Sequence, residues 1–179
     1  MQLPFISVIL PVRNEEKFIA ACVDSIFSQD YPAELMEVIF VDGRSEDRTV
    51  AMLKEMQKEH PQIVVLDNPN RTVPYAMNIG IEACKAEIIV RLDAHAEYPE
   101  DYIRLSVETL LTKDCDNAGG VFETRGRGFM GEAIAEMLKT PLGVGNATYR
   151  LTQEDGYVDT VPFGCWRKEL FDRIGGFDE

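Results

Sequence analysis

The chain has 179 residues, and its 18 Lys and Arg against 31 Asp and Glu give a formal net charge of -13. That charge argues against nonspecific nucleic-acid binding and against docking on anionic lipid, because both need a basic surface. With 45% hydrophobic residues the composition is that of an ordinary globular protein, long enough to bury a substantial core. We therefore expect one domain over residues 1–179 and no nucleic-acid partner.

The N-terminus leads straight into a predicted strand without a secretory signal, and no apolar run approaches the ~18 residues that a membrane span needs. Four cysteines lie far apart with no Cys-x-x-Cys pair, which favours reduced, buried thiols over a metal or redox site: Cys22, Cys84, Cys115 and Cys165. The sequence as given predicts a cytoplasmic protein.

Strands and helices alternate through the first two-thirds of the chain. Apolar, β-branched runs predict strands at 5–10, 38–41 and 63–66 and at the start of the segment 87–98. Apolar residues at helical spacing follow each strand; we predict that Ser45 caps the second helix and that Thr72 and Pro74 begin the third. This alternation predicts an α/β fold with a mostly parallel central sheet flanked by helices.

The last third of the chain is less regular. Its apolar runs predict strands over 118–123 and 157–163, and its spacing predicts helices over 132–139 and 168–174. No internal repeat or linker indicates a second domain.

Polar residues follow three of the predicted strands at their carboxyl ends. They are Arg13 and Glu15, then Asp42 and Ser45, then Asp93 and His95. A parallel sheet gathers such ends at one edge, where open α/β sheets bind their ligands. No G-x-G-x-x-G follows the first strand and no G-x-x-x-x-G-K-[ST] occurs, so a dinucleotide dehydrogenase or a P-loop enzyme is not supported. A carboxylate-held metal could instead offset the charge of a diphosphate.

Five segments occur in a fixed order along the chain: S-V-I-L-P-V-R-N-E-E (7–16), V-D-G-R-S-E-D-R-T (41–49), A-M-N-I-G (76–80), L-D-A-H (92–95), and G-C-W-R (164–167) with G-G-F-D-E (175–179). Together they resemble the motifs of family 2 glycosyltransferases with the GT-A fold, a Rossmann-like architecture. The fourth segment stands where that family has its D-x-D metal motif. The segment P-L-G-V-G-N (141–146) is most similar to the branch that builds bacterial exopolysaccharides of the succinoglycan type.

The resemblance implies roles for five residues in binding a nucleotide-diphospho-sugar. Pro11, Arg13 and Glu15 would line the nucleotide pocket, Asp42 would accept hydrogen bonds from the base or ribose, and Arg71 would stack on or bond the base. Three of them have a plainer interpretation as well. Asp42 could form a turn beside a glycine, Glu15 could favour a helix dipole, and Arg13 could pair with an acid.

The resemblance also implies a divalent metal, Mn²⁺ or Mg²⁺, held by Asp93 and His95. Asp93 would bind the ribose or the metal, and His95 stands where the family has a second aspartate. An imidazole ligand shifts the preference toward Mn²⁺. An exposed loop histidine with no ligand explains His95 nearly as well.

The implied activity is that of an inverting glycosyltransferase that moves a sugar, with a UDP-sugar favoured, to a saccharide or lipid-linked acceptor. Residues 1–98 would form the nucleotide-binding part and 99–179 the start of the acceptor-binding part. The family's catalytic base follows the G-G-F-D-E segment, so we expect it beyond Glu179 and assign no catalytic residue within the chain. The full-length protein would then be compatible with the cytoplasmic face of a membrane.

Two alternatives stay open at this point. Without its base, the chain would be a nucleotide-binding fragment that lacks transferase activity. A sugar-nucleotide pyrophosphorylase also combines an α/β sheet with Mg²⁺, but the Gly-rich loop with Arg and Lys expected of it is replaced here by P-V-R-N (11–14).

Overall fold

The computed structural model describes residues 2–121, 124–126, 128–145, 155–158 and 160–179. They fall into two compact units. The first comprises residues 1–118 with 163–179, and the second comprises residues 119–162.

A six-stranded sheet forms the centre of the first unit. Its strands are β1 (Ile6–Val12), β2 (Met36–Asp42), β3 (Ile63–Asp67), β4 (Ile88–Arg91), β5 (Asn117–Ala118) and β6 (Cys165–Arg167), in the order β3-β2-β1-β4-β6-β5. The first four are parallel, and β6 runs antiparallel to both β4 and β5. The predicted α/β fold with a mostly parallel sheet is therefore confirmed.

Seven α-helices and one 3₁₀ helix, at Ala33–Leu35, occur in the described ranges. The α-helices are α1 (Ile19–Phe27), α2 (Thr49–Met56), α3 (Val73–Ala83), α4 (Tyr102–Thr112), α5 (Gly128–Met137), α6 (Pro141–Val144) and α7 (Glu169–Ile174). Of these, α5 and α6 belong to the second unit. The other five surround the sheet, as the alternating sequence pattern predicts.

The core lies on both faces of the sheet because side chains alternate along each strand. Val8 and Leu10 of β1 point to one face, where α1, α2 and α4 supply the covering side chains. Ile9 points to the other face, which α3 and α7 cover. The first unit therefore forms three layers, with the parallel strands buried between helices.

Helix α3 lies unusually close to the sheet. A Cβ atom added to Gly80 would stand 2.5 Å from Cγ2 of Ile9, closer than real Cβ contacts come. Glycine at this position lets the helix backbone approach the strand. Ala76, one turn earlier on α3, lines the cleft described below.

A buried polar network ties the strands together at their amino ends. Glu37 of β2, only 5% exposed, accepts hydrogen bonds from Ser7 Oγ of β1 at 2.6 Å and from the backbone N–H of Lys85 at 2.7 Å. Ser7 Oγ in turn accepts from the backbone N–H of Ala86 at 3.2 Å. The carboxylate thus sets where the chain enters β4.

Three local predictions were wrong. Ser45 does not cap α2, which begins at Thr49, because its hydroxyl donates to Asp42 instead. The described residues of 157–163 contain no strand; the strand in this part of the chain is β6, which pairs with β4 at Cys165–Arg167. The strand predicted over 118–123 is limited to Asn117–Ala118, and residues 122–123 lie outside the described ranges. In the latter two cases pairing with a distant strand outweighs the local pattern.

The second unit contains α5 and α6. Several apolar side chains of these helices are exposed, among them Phe129 at 87% and Leu142 at 96%. Thr140 caps α6 by accepting a hydrogen bond from the N–H of Gly143. Residue 146, the last of the succinoglycan-like segment, lies outside the described ranges. Within those ranges, no helix has the combination of length and apolar character needed to cross a bilayer.

Candidate functional site

A cleft of about 160 Å³ opens at the carboxyl edge of the sheet, where β1, β2 and β4 lie side by side. Six of the seven residues predicted from the resemblance line it: Pro11, Arg13, Glu15, Arg71, Asp93 and His95. The seventh, Asp42, lies at the end of β2 between the lining residues Val41 and Gly43. Because typical small-molecule pockets measure ~300–1,000 Å³, the cleft has room for part of a small-molecule ligand.

The loops after β1 and β2 are held together by reciprocal hydrogen bonds. Asn14 N–H donates to Ser45 Oγ at 2.8 Å, and Asn14 Oδ1 accepts from the N–H of Glu46 at 2.8 Å. One step along, Glu15 N–H donates to Thr49 Oγ1 at 2.8 Å. The two loops therefore form one rigid rim of the cleft.

A second set of bonds extends this rim to the start of α2. The N–H of Glu16 donates to Asp47 Oδ2, and the N–H of Arg48 donates to Glu16 Oε2, each at 3.1 Å. Asp47 Oδ1 also accepts from Thr49 N–H at 2.9 Å and from its hydroxyl. Much of the polar pattern in the first two motifs is thus used to fix the backbone.

Asp42 is 6% exposed, and its carboxylate is engaged by its own loop. Ser45 donates to it twice, from its N–H at 3.1 Å to Oδ2 and from its hydroxyl at 2.5 Å to Oδ1. Its backbone carbonyl accepts from the N–H of Asn68 at 2.8 Å. This geometry matches the plainer interpretation of a turn-forming aspartate, and contact with the base or ribose of a nucleotide stays a prediction.

Asp93 follows β4 and faces the cleft with a fifth of its side chain exposed. Its Oδ1 accepts from both Nε and Nη2 of Arg91 at 3.3 Å, and its backbone N–H donates to Tyr98 Oη at 2.9 Å. Burial raises the pKa of the Tyr98 phenol, so the hydroxyl stays protonated. The loop after β4 is therefore folded around Asp93.

His95 lies beyond Asp93 on the same loop, with 61% of its side chain exposed. Its Nδ1 stands 3.3 Å from Glu15 Oε1, which joins the loop after β4 to the loop after β1. Behind these acids, burial and then the charges of Glu15 and Asp93 raise the pKa of the Cys22 thiol to about 12. Glu15 and Asp93 therefore act on the Cys22 thiol, although burial is the larger cause of its raised pKa.

Two exposed arginines, Arg13 and Arg71, supply positive charge at the cleft of this acidic chain. Arg71 has a backbone φ of 63°, and its loop is shaped by the buried Asn68. Asn68 Oδ1 accepts from the N–H groups of Asn70 and Arg71, and its Nδ2 donates to the carbonyl of Thr72 at 2.9 Å. The loop presents Arg71 to the cleft at the cost of a left-handed backbone.

The Asp93 and His95 side chains are suited to a metal ion that a bound ligand also coordinates. In the ranges that the structure describes, no three His, Cys, Asp or Glu side chains are grouped so that they could hold a metal by themselves. Asp93 and His95 both line the cleft, and carboxylate and imidazole are ligands that Mn²⁺ accepts. Ions of this type often take one or two protein ligands and complete their shell with phosphate oxygens and water.

The segment after α7 docks on α3 through the third motif. Asn78 Oδ1 accepts from the N–H of Phe177 at 2.8 Å, and its Nδ2 donates to the Phe177 carbonyl and to Glu179 Oε1, each at 2.9 Å. The Phe177 ring packs edge-on against Trp166 of β6 at 6.3 Å between centroids. Trp166 is 9% exposed and belongs to the core on this face of the sheet.

Sequence reasoning missed two residues of the site. Arg91 is a lone cation in an apolar strand, and that mismatch is a signal that could have indicated a partner nearby. Asn68 stands in a stretch that reads as an ordinary turn, D-N-P-N (67–70), and nothing local distinguishes the one buried amide from its neighbours.

A model of the family described as glycosyl transferase family 2 matches residues 7–175. The chain belongs to this family. The resemblance seen in the five motifs is thereby confirmed, and it covers the first unit and the residues of the second alike.

Named relatives agree with this assignment. The dolichyl N-acetyl-alpha-D-glucosaminyl phosphate 3-beta-D-2,3-diacetamido-2,3-dideoxy-beta-D-glucuronosyltransferase of Methanococcus voltae is 32% identical, over 93% of this chain and 54% of that protein. The succinoglycan biosynthesis protein ExoA of Rhizobium meliloti is 28% identical, over 96% of this chain and 52% of that protein. The similarity to the succinoglycan branch is confirmed. The chain spans about half the length of these curated relatives.

The fold also matches a solved family structure. The mannosyltransferase PcManGT of Pyrobaculum calidifontis, in complex with GDP-Man and Mn²⁺, superimposes with a TM-score of 0.70 at 26% identity, over 98% of this chain and 48% of that one. The predicted GT-A fold is confirmed.

Proposed function

We propose that this chain binds the donor of an inverting glycosyltransferase, which moves a sugar from a nucleotide-diphospho-sugar to a saccharide or lipid-linked acceptor with the help of a divalent metal. The observation that carries the proposal is the convergence of six predicted residues on one cleft. Membership of the family favours a transferase over a nucleotide-binding fragment without activity.

Charge supports a phosphorylated ligand. The chain as a whole is acidic, yet Arg13 and Arg71 are exposed at the cleft, where they would attract a diphosphate or stack on a base. The rigid rim formed by the loops after β1 and β2 would hold Arg13 and Glu15 in place before the donor binds. Such preorganisation reduces the entropy lost on binding.

Asp93 and His95 would hold the metal together with donor oxygens. When bound, Mn²⁺ or Mg²⁺ would neutralise charge on the departing nucleoside diphosphate. The Glu15–His95 contact would orient the imidazole. A carboxylate that accepts from Nδ1–H fixes the tautomer and leaves Nε2 free to bind the metal.

A UDP-sugar is our first choice of donor, with a GDP-sugar as the alternative, because the similar mannosyltransferase was solved with GDP-Man. The family's inverting chemistry calls for a carboxylate base that takes the proton of the acceptor hydroxyl. We assign that base to none of the residues described. We infer that the donor is bound in the cytoplasm.

Calorimetric titration tests the donor site. UDP and GDP are titrated into the chain with Mn²⁺ and again with EDTA. We expect binding of one nucleotide that depends on the metal, and we expect Asp93→Ala to weaken it about 100-fold. The control is Asp24→Ala, which removes an exposed acid of α1 that does not line the cleft.

Cooperative melting of each variant shows that it is folded. If neither nucleotide binds to the folded wild-type chain in the presence of Mn²⁺, the donor site proposed here is wrong. An equal effect of the two aspartate substitutions would also reject the role of Asp93.

A further inference from the structure

Arg91 is the last residue of β4, and within the described ranges its guanidinium makes the side-chain hydrogen bonds to the carboxylate of Asp93. Both Nε and Nη2 of its guanidinium approach the same oxygen, Oδ1, at 3.3 Å. A parallel bidentate pair would instead use one nitrogen for each oxygen. Arg91 therefore engages Oδ1 and leaves Oδ2 out of the pair.

Arg91 is itself held in place from two directions. Its backbone N–H donates to the carbonyl of Gly164 at 2.9 Å, and its Cζ lies 5.9 Å from the centre of the Phe163 ring. Tyr102 Oη donates to the carbonyl of Phe163 at 2.7 Å, which fixes that residue against α4. With 24% of its side chain exposed, Arg91 is half-buried and has little freedom to swing away.

We propose that Arg91 is a positioning residue for the donor site: it fixes the Asp93 carboxylate so that Oδ2 is presented to the metal or ribose. This inference rests on the proposed function and deepens it. Arg91 also offsets the negative charge of Asp93, which would otherwise repel the donor diphosphate. Orientation and charge are separable, because lysine keeps the charge but not the two adjacent donors.

A purely structural role makes a different prediction. If Arg91 served only to join β4 to the segment before β6, replacing it would lower the melting temperature without changing how nucleotide binding depends on metal. If it acted only as a competing charge, its removal would strengthen binding of Mn²⁺, because Asp93 would lose a cation beside it. Only a positioning role predicts that a folded variant needs more Mn²⁺ for half-maximal nucleotide binding.

The test measures UDP or GDP binding, whichever the wild-type chain prefers, as a function of Mn²⁺ concentration. We expect Arg91→Met to raise the Mn²⁺ needed for half-maximal binding by about 10- to 100-fold, the usual effect of losing a residue that orients a metal ligand. Arg91→Lys should be intermediate, at about three- to tenfold. Residual nucleotide binding in EDTA should weaken in Arg91→Met, which loses the positive charge, and stay near the wild-type value in Arg91→Lys, which keeps it.

Arg104→Met is the matched control. Arg104 also pairs with an aspartate, Asp30, at 2.7 Å, but it does so on α4 away from the cleft-lining residues. We expect its Mn²⁺ dependence to equal that of the wild type. If Arg91→Met does not melt cooperatively, Arg91→Lys decides the question by itself.

Three outcomes would overturn the inference. Wild-type Mn²⁺ dependence in Arg91→Lys and Arg91→Met would show a structural role, and a lower Mn²⁺ requirement would show a competing charge. In both cases the proposed function would stand, because the wild-type chain binds. Absence of nucleotide binding in the wild-type chain would reject the proposed function and this inference together.

Discussion

Polar side chains gather at both ends of the parallel strands, and their surroundings differ. At the amino ends, Glu37 is buried, and its carboxylate is satisfied by Ser7 and by the backbone of Lys85. At the carboxyl ends, Asp93 is partly exposed to a cleft, and its contact with Arg91 uses one of its two oxygens. The same residue types therefore have different tasks at the two edges.

The two carboxylates differ in which groups form hydrogen bonds to their oxygens. A buried acid whose hydrogen bonds come from its own chain stabilises the fold, because removing it leaves desolvated donors without partners. An acid that keeps an oxygen for a ligand contributes less to stability and more to binding. Substitutions at the two edges should therefore separate stability from nucleotide affinity.

The largest loss of stability is expected for Glu37→Ala. It leaves Ser7 Oγ and the N–H of Lys85 without their acceptor in a buried place, which should lower the free energy of unfolding by about 3 kcal/mol. The ion pair with Lys85 Nζ adds little, because that side chain is 75% exposed. Urea unfolding measures the change, and Glu82→Ala, an exposed acid of α3, is the control. A loss of nucleotide affinity in folded Glu37→Ala would contradict the comparison.

An intermediate effect is expected for Asn14→Ala. The change removes the bond to the N–H of Glu46 and puts alanine at a φ of 56°, which together should cost about 1 to 2 kcal/mol. Nucleotide affinity should fall as well, because the rim that holds Glu15 is loosened. In Asn14→Gly the left-handed backbone is tolerated, so the difference between the two variants isolates the backbone term. Equal unfolding energies for both would show that the left-handed conformation costs nothing.

The smallest effect on stability is expected for His95→Ala. Its side chain is mostly exposed, so the free energy of unfolding should change by less than about 0.5 kcal/mol. The Mn²⁺ needed for nucleotide binding should nevertheless rise about tenfold if the imidazole is a metal ligand. His60, which stacks on Phe27 with ring centroids 4.0 Å apart, provides the converse control. His60→Ala should lower the free energy of unfolding and leave the Mn²⁺ requirement unchanged. The prediction is wrong if His95→Ala leaves the Mn²⁺ requirement unchanged or if His60→Ala raises it.

Much of the fold could be predicted because its signals are local. The runs that form β1 to β4 are apolar and β-branched, and the helices between them repeat apolar residues on one face. Strand β6 was missed because its position depends on antiparallel pairing with β4, a contact between residues some 80 positions apart in the sequence. The apolar run at 157–163 has the local pattern of a strand, but its described residues do not pair with any strand of the sheet.

The candidate site was predicted in part for a similar reason. Pro11, Arg13 and Asp93 stand beside strand ends, and a parallel sheet brings such positions together. The motifs could not reveal which of their polar residues fix the loops and which line the cleft. Serine is a common helix cap, but the Ser45 hydroxyl donates to Asp42 instead. It also accepts from the N–H of Asn14, in the loop after β1, and this contact between distant residues could not be predicted from the local sequence.

The missing side chain at Gly80 has a consequence for how this family could diversify. Because that position sets how near α3 lies to Ile9, it also sets the depth of the cleft wall that Thr72, Val73 and Ala76 form. An added methyl group would move the wall without changing the identity of any residue that lines the cleft. Selectivity between a small and a large base could therefore be inherited from the spacing of a helix, and a search for altered donors would do well to include this remote position.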